Sequence, residues 1–176
     1  MSALDAAPLR GLPVAGLKES DSFAAFIRSQ GPRMVRLATL LTGNRHDAED
    51  IVQEAFIALA RGWSDVRPET AGAYARTAVT RKAMDHLRRR HDLPVGDVPD
   101  RPVDDEGLLR YERDRAFFGR LAKLPVRQRA VLVLRYHSGL DDREIGQVLR
   151  CTASTVRSQA ARALASLRTT MTEGDR

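Results

Sequence analysis

The chain has 176 residues, of which 30% are charged and 5% aromatic, with 29 Lys and Arg against 23 Asp and Glu for a net charge of +6. That balance suits one or two small helical domains with a polyanionic partner. The single cysteine, Cys151, excludes an internal disulfide and a multi-thiolate metal centre, and no run of 18 apolar residues offers a membrane span. Residues 1–20, interrupted by Asp5, Pro8, Arg10 and Pro13, read as a flexible arm and not as a signal peptide, so a cytoplasmic protein is expected.

A first helical domain is expected over residues 21–90. Phe23, Phe26, Ile27, Val35, Leu37, Leu40 and Leu41 suggest a helical stretch interrupted or kinked near Gly31-Pro32, followed by a turn at Leu41-Thr42-Gly43-Asn44. From Asp47 to Gly62, the residues Ala48, Ile51, Val52, Ala55, Phe56 and Leu59 recur at helical spacing and predict a buried stripe. The opposite face carries Asp47, Asp50, Gln53, Glu54, Ile57 and Arg61. Acids near a helix start complement its dipole, which accounts for some of them but not for an apolar Ile57. A solvated face and a docking face for a basic partner both fit this pattern. After a loop from Trp63 to Thr70, a helix from Ala71 to Arg90 bears Arg76, Arg81, Lys82, Arg88, Arg89 and Arg90 against one acid, Asp85. This run suits phosphate contacts, with a solvated face as the alternative.

Composition changes over residues 91–113, where seven acids and Pro94, Pro99 and Pro102 predict a flexible acidic linker and the boundary between domains. A second helical domain is expected over residues 114–170, with a tail over 171–176. Phe117, Phe118, Leu121 and Leu124 lead to Pro125, and Ala130, Val131, Leu134 and Tyr136 lie on a further amphipathic segment. The fold class is therefore all-α, two small helical domains.

The clearest motif lies near the C-terminus. Asp141 with Glu144 forms a capping-box pattern, Ile145, Val148 and Leu149 supply a buried face, and Arg150-Cys151-Thr152 makes a short turn with Thr152 as the next N-cap. The following helix, Ala153 to Arg168, clusters Val156, Ala160, Ala163, Leu164 and Leu167 on one side. Ser154, Thr155, Arg157, Ser158, Arg162 and Arg168 fall on the other. This is a helix-turn-helix whose second helix suits the major groove. Cys151 reads as a small buried hydrophobe and not as a redox switch. His46, His86, His91 and His137 are scattered singly, and no paired carboxylates, activated nucleophile or Gly-rich phosphate loop stands out. An enzyme is the least supported class, and no metal, cofactor or small-molecule substrate is expected.

From about Phe23 to Arg168 the chain resembles extracytoplasmic-function sigma factors of the sigma-70 family, with the actinobacterial SigE-like group as the candidate branch. Four stretches carry the resemblance: Asp47-Ala48-Glu49-Asp50-Ile51-Val52-Gln53-Glu54-Ala55-Phe56; Ala73-Tyr74-Ala75-Arg76 through Asp85-His86-Leu87-Arg88-Arg89-Arg90; Leu121-Ala122-Lys123-Leu124-Pro125-Val126-Arg127-Gln128-Arg129; and Ser154-Thr155-Val156-Arg157-Ser158. The resemblance implies a transcription initiation factor that binds core RNA polymerase, at the β′ clamp coiled coil and the β flap, and promoter DNA. It implies polymerase contacts at Asp47, Asp50, Gln53, Glu54 and Ile57. It implies −10 contacts at Tyr74, Arg76, Arg81, Lys82, Arg88 and Arg89, and −35 contacts at Ser154, Thr155, Arg157, Ser158 and Arg162. An anti-sigma factor as inhibitor is a further implication.

The sequence departs from the family's pattern at four places. Arg81 stands where many relatives have asparagine, Tyr74 where they often have tryptophan, Arg150 in place of a turn glycine, and Gln159 in place of a basic residue. Tyr74 and Trp63 are the aromatic candidates for an unstacked base, with a core role open for each. Two rival readings stand beside this one: a stand-alone helix-turn-helix regulator whose first domain dimerises or senses a ligand, and an interaction module that sequesters another factor.

Overall fold

The computed structural model describes residues 14–91 and 119–173, all in helices and short connections, with no strand among them. The first domain has three helices, α1 (Val14–Thr42), α2 (Arg45–Ala60) and α3 (Pro68–His91), with a single 3-10 turn at Trp63–Asp65. Of the arm expected over 1–20, residues 1–13 lie outside the described residues and the chain is helical from Val14. Of the interruption or kink expected near Gly31-Pro32, the interruption is absent, because α1 runs through Pro32 as one helix. A proline inside a helix costs about 3 kcal/mol. Here Phe26 and Ile27 before it, and Met34, Leu37 and Leu41 after it, pack into the same core. Each well-buried side chain of this size is worth about 1.5–3 kcal/mol, so packing on both sides outweighs the proline.

Asn44 ends the turn between α1 and α2 and accepts a bond from the Asp47 amide at 3.1 Å, so α2 starts at Arg45, two residues earlier than expected. Its predicted stripe, Ala48, Ile51, Val52, Ala55, Phe56 and Leu59, is buried without exception. Trp63 meets Phe23 edge-on and Phe26 at a tilt, at ring-centroid separations of 4.9 and 5.0 Å, and donates to Ser22 Oγ at 2.8 Å. The ring is thus part of the core edge, partly buried.

Of the expected acidic linker, residues 92–113 lie outside the described residues, as do Phe117 and Phe118. Among the described residues, the second domain comprises a helical turn at 119–122 and then α4 (Val126–Leu132), which passes into a π turn at Val133–His137. The wider turn alters the helical register. Leu134 stays fully buried, while Tyr136, expected on the same amphipathic segment, is exposed. Then follow α5 (Asp142–Leu149) and α6 (Ala153–Glu173). The two domains pack against one another, with α3 against α4 and α5, and α1 against the π turn.

A buried cation lies at that junction. Arg129, only 7% exposed, donates from Nη1 to the Leu41 carbonyl at 2.7 Å and from Nη2 to the Ala122 and Leu124 carbonyls at 2.7 and 3.2 Å. Burial lowers its pKa, and three carbonyl dipoles offset the cost of removing the charge from water.

Candidate nucleic-acid and partner interfaces

The helix-turn-helix is built as the capping pattern predicts. Asp141 Oδ1 accepts from the Arg143 and Glu144 amides, both at 2.8 Å, and Glu144 returns a bond to the Asp141 amide at 2.8 Å. Arg150 ends α5 in the left-handed conformation, φ 54°, the geometry that favours glycine. Thr152 caps α6, accepting from the Thr155 amide at 3.2 Å. Val156, Ala160 and Ala163 face inward, and Ser154, Arg157, Ser158 and Arg162 stand exposed on the outer side. Thr155 is half-buried, its hydroxyl 2.9 Å from that of Thr152, so it serves the cap as well as the surface. Arg157 lies 3.8 Å from Asp142, which also pairs with Arg135. A loose, exposed pair of this kind contributes little and leaves Arg157 free to swing toward a groove.

The residues expected at one −10 surface are dispersed over three. Tyr74 is 59% exposed on the rim of a cleft of about 740 Å³ between the end of α2, the 3-10 turn and α3, which Val66, Arg67, Thr77 and Arg81 also line. An exposed ring, an apolar floor and guanidiniums suit an unstacked base with its phosphate. Arg81 reaches the cleft but is tied down. Its Nε donates to the Val148 carbonyl at 3.0 Å and its Nη2 to the Gln147 carbonyl at 3.1 Å, at the C-terminal end of α5. Arg76 faces elsewhere, into a cavity between α1 and the π turn. Lys82 is bonded to Glu54 at 2.9 Å, Arg88 pairs with Asp85, and Arg89 is exposed with its charge felt at Glu54. Arg67 stands at the start of the loop and helix, Arg67 to Arg90, that the resemblance assigns to the −10 element.

On α2, Asp50 and Glu54 are 61% and 65% exposed, Gln53 is exposed, and Ile57 is 50% exposed among them. The Lys82 ammonium bonded to Glu54 holds its carboxyl below the usual range. Asp50 pairs with His46 at 3.2 Å. Asp47, expected on the same outer face, is half-buried with His86 Nε2 3.3 Å away. It sits where α2 meets α3 and is less accessible than its neighbours. Cys151, as expected, is a partly buried residue packed on the core.

Among the described residues no group of His, Cys, Asp and Glu could hold a metal ion, and no helix is long and apolar enough to cross a membrane. Two protein families match this chain: sigma-70 region 2 over residues 26–92 and sigma-70 region 4 over residues 115–167. The chain is 34% identical to the ECF RNA polymerase sigma factor SigE of Mycolicibacterium smegmatis, over 84% of this chain and 60% of that one. It is 31% identical to the RNA polymerase sigma-E factor of Streptomyces avermitilis, over 83% of each. Its fold is shared with the sigma factor RpoE of Bartonella quintana in complex with the anti-sigma factor NepR, at 19% identity, a TM-score of 0.68 and coverage of 86% and 97%. A second solved structure, CnrH in complex with the cytosolic domain of CnrY, gives 21% identity, a TM-score of 0.64 and coverage of 90% and 95%. With both regions matched in order, and with the helix-turn-helix and the cleft in the two domains they define, the chain belongs to the extracytoplasmic-function sigma factors of the sigma-70 family.

Proposed function

We propose that this sigma factor binds core RNA polymerase chiefly through the acidic face of α2 and directs it to promoters by reading a −10 element with the first domain and a −35 element with α6. It performs no catalysis of its own and acts in the cytoplasm. One observation carries the reading: two unlike nucleic-acid surfaces occur in one chain, a base-sized cleft rimmed by Tyr74 and a capped helix-turn-helix with Ser154, Arg157, Ser158 and Arg162 outward.

In this arrangement Asp50, Gln53, Glu54 and Ile57 dock on the β′ clamp coiled coil, with Asp47 supporting them through His86. The β flap takes the second domain. At the promoter, Tyr74 and Arg67 receive an unstacked base of the −10 element, while Lys82, Arg88 and Arg89 supply positive charge along α3. Arg81 joins them once α5 has moved off α3, since two of its donors hold the guanidinium against α5 carbonyls. On the −35 duplex, Arg157 and Arg162 reach base edges or phosphates, and Ser154, Thr155 and Ser158 fit against the backbone. Each contact is weak alone, and tethering both domains to one polymerase raises their effective concentration on one promoter. An anti-sigma factor is the fitting inhibitor, as in the complex of the Bartonella relative.

The docking face is tested by Asp50→Lys with Glu54→Lys. Both side chains are exposed, so the variant folds, and pull-down of core polymerase falls at least tenfold. Undiminished capture by the folded variant removes α2 as the docking site.

A further inference from the structure

The groove that Arg76 lines has about 780 Å³, its walls come from both domains, and it opens to solvent at the exposed Arg33, Arg36, Glu69 and His137. Arg33 and Arg36 enter from α1, Arg76 and Glu69 from α3, and His137 and Ser138 from the end of the π turn. Three guanidiniums and an imidazole thus share one space with a single carboxylate.

Some cations elsewhere are ion-paired, Arg45 with Glu49, Lys82 with Glu54, Arg88 with Asp85 and Arg135 with Asp142, while others, among them Arg67, Arg143 and Arg162, have no ion pair among the described residues and stand apart on the surface. Arg33, Arg36 and Arg76 have no ion-pair partner among the described residues. Like charges facing one groove repel, and an anion between them removes that penalty. Guanidinium pairs with phosphate in bidentate fashion, which suits closely spaced phosphates better than a lone carboxylate.

We propose that this groove binds a compact oligophosphate, a phosphate chain free or carried by a nucleoside, and that the bound anion holds the two domains together. The His137 pKa falls first through burial and then through the charges of Arg36 and Arg33, so those charges reach the imidazole across the domain boundary. Neutral His137 and Ser138 offer hydrogen bonds from the second domain, and the arginines supply charge from the first. A ligand touching both domains favours their packed arrangement by mass action. The inference does not depend on the promoter reading, since neither polymerase nor promoter enters it.

The test is calorimetric titration of the full chain with inorganic tripolyphosphate, with ATP and with a ten-nucleotide single-stranded DNA. One compact anion binds per chain, and Arg33→Gln, Arg36→Gln and Arg76→Gln each weaken it about tenfold. Arg143→Gln, the same charge loss on exposed α5, leaves it unchanged. Comparable binding of tripolyphosphate and ATP identifies the phosphate chain as the ligand, and binding of ATP alone adds the nucleoside; either upholds the site. Amide exchange at the α3–α5 contact slows on binding. Binding by single-stranded DNA alone, equal weakening by Arg143→Gln, or several equivalents per chain overturns the proposal.

Discussion

Gly146 sits inside α5, where helix propensity alone favours alanine by about 1 kcal/mol. The turn reverses that sign. Cys151 folds back to donate to the Gly146 carbonyl at 2.9 Å, and a Cβ on Gly146 would lie 2.6 Å from the Cys151 carbonyl oxygen. Close carbon–oxygen contacts begin near 3.3 Å, so about 0.7 Å must be made up. Both sides of the clash are backbone, and Cβ would also lie 3.6 Å from the Cys151 carbonyl carbon and 3.7 Å from the Ala153 amide, so no rotamer change relieves it. Overpacking of this kind costs about 1–3 kcal/mol, and the upper end applies where backbone must move. Against the propensity gain, Gly146→Ala is expected to destabilise by about 2 kcal/mol, a fall in Tm of roughly 4–8 °C for a chain of this size unfolding as one unit. Thermal unfolding followed by circular dichroism reads it, and binding to a −35 duplex should fall further than capture by core polymerase. A Tm that is unchanged or raised would show that the turn does not need the close approach.

Three further outcomes follow from the same geometry. Arg150→Gly relieves the left-handed backbone at the end of α5 and should stabilise by about 0.5–1 kcal/mol, a rise of roughly 2 °C in the same melt, and a fall would refute the strain. Arg81→Ala removes both bonds to the α5 carbonyls. After allowance for partial exposure this costs about 1 kcal/mol, so amides at the α3–α5 contact should exchange about fivefold faster, and unchanged exchange would show the bonds to be idle. Arg157→Ala should cost about 1–3 kcal/mol in binding a −35 duplex if the guanidinium reads a base; no loss on any duplex removes it from the interface.

The helices, their buried stripes and the caps of the helix-turn-helix were legible because each is local. Ala48 to Leu59 repeat at helical spacing, and Asp141 with Glu144 is a three-residue relation. Continuity of α1 through Pro32 is not legible locally, because the core on either side of it depends on α2, which lies outside any local window. The roles along α3 were the least legible. A run of bases reads as one surface, yet helix geometry directs Arg76 to the interdomain cavity, Lys82 to Glu54 and Arg81 to α5. Trp63 could be a base platform or core on sequence alone, and its edge-on and tilted contacts with Phe23 and Phe26, distant in sequence, place it at the core edge. Arg129 gave no sign of burial, because its acceptors include the Leu41 carbonyl of the other domain.

The most direct test of the account is transcription from a promoter library by purified core RNA polymerase, with and without this protein. New start sites sharing one −10 and one −35 motif, and lost with Asp50→Lys and Glu54→Lys, are the expected result. The account is contradicted if no new start sites arise while the protein binds duplex DNA tightly by itself.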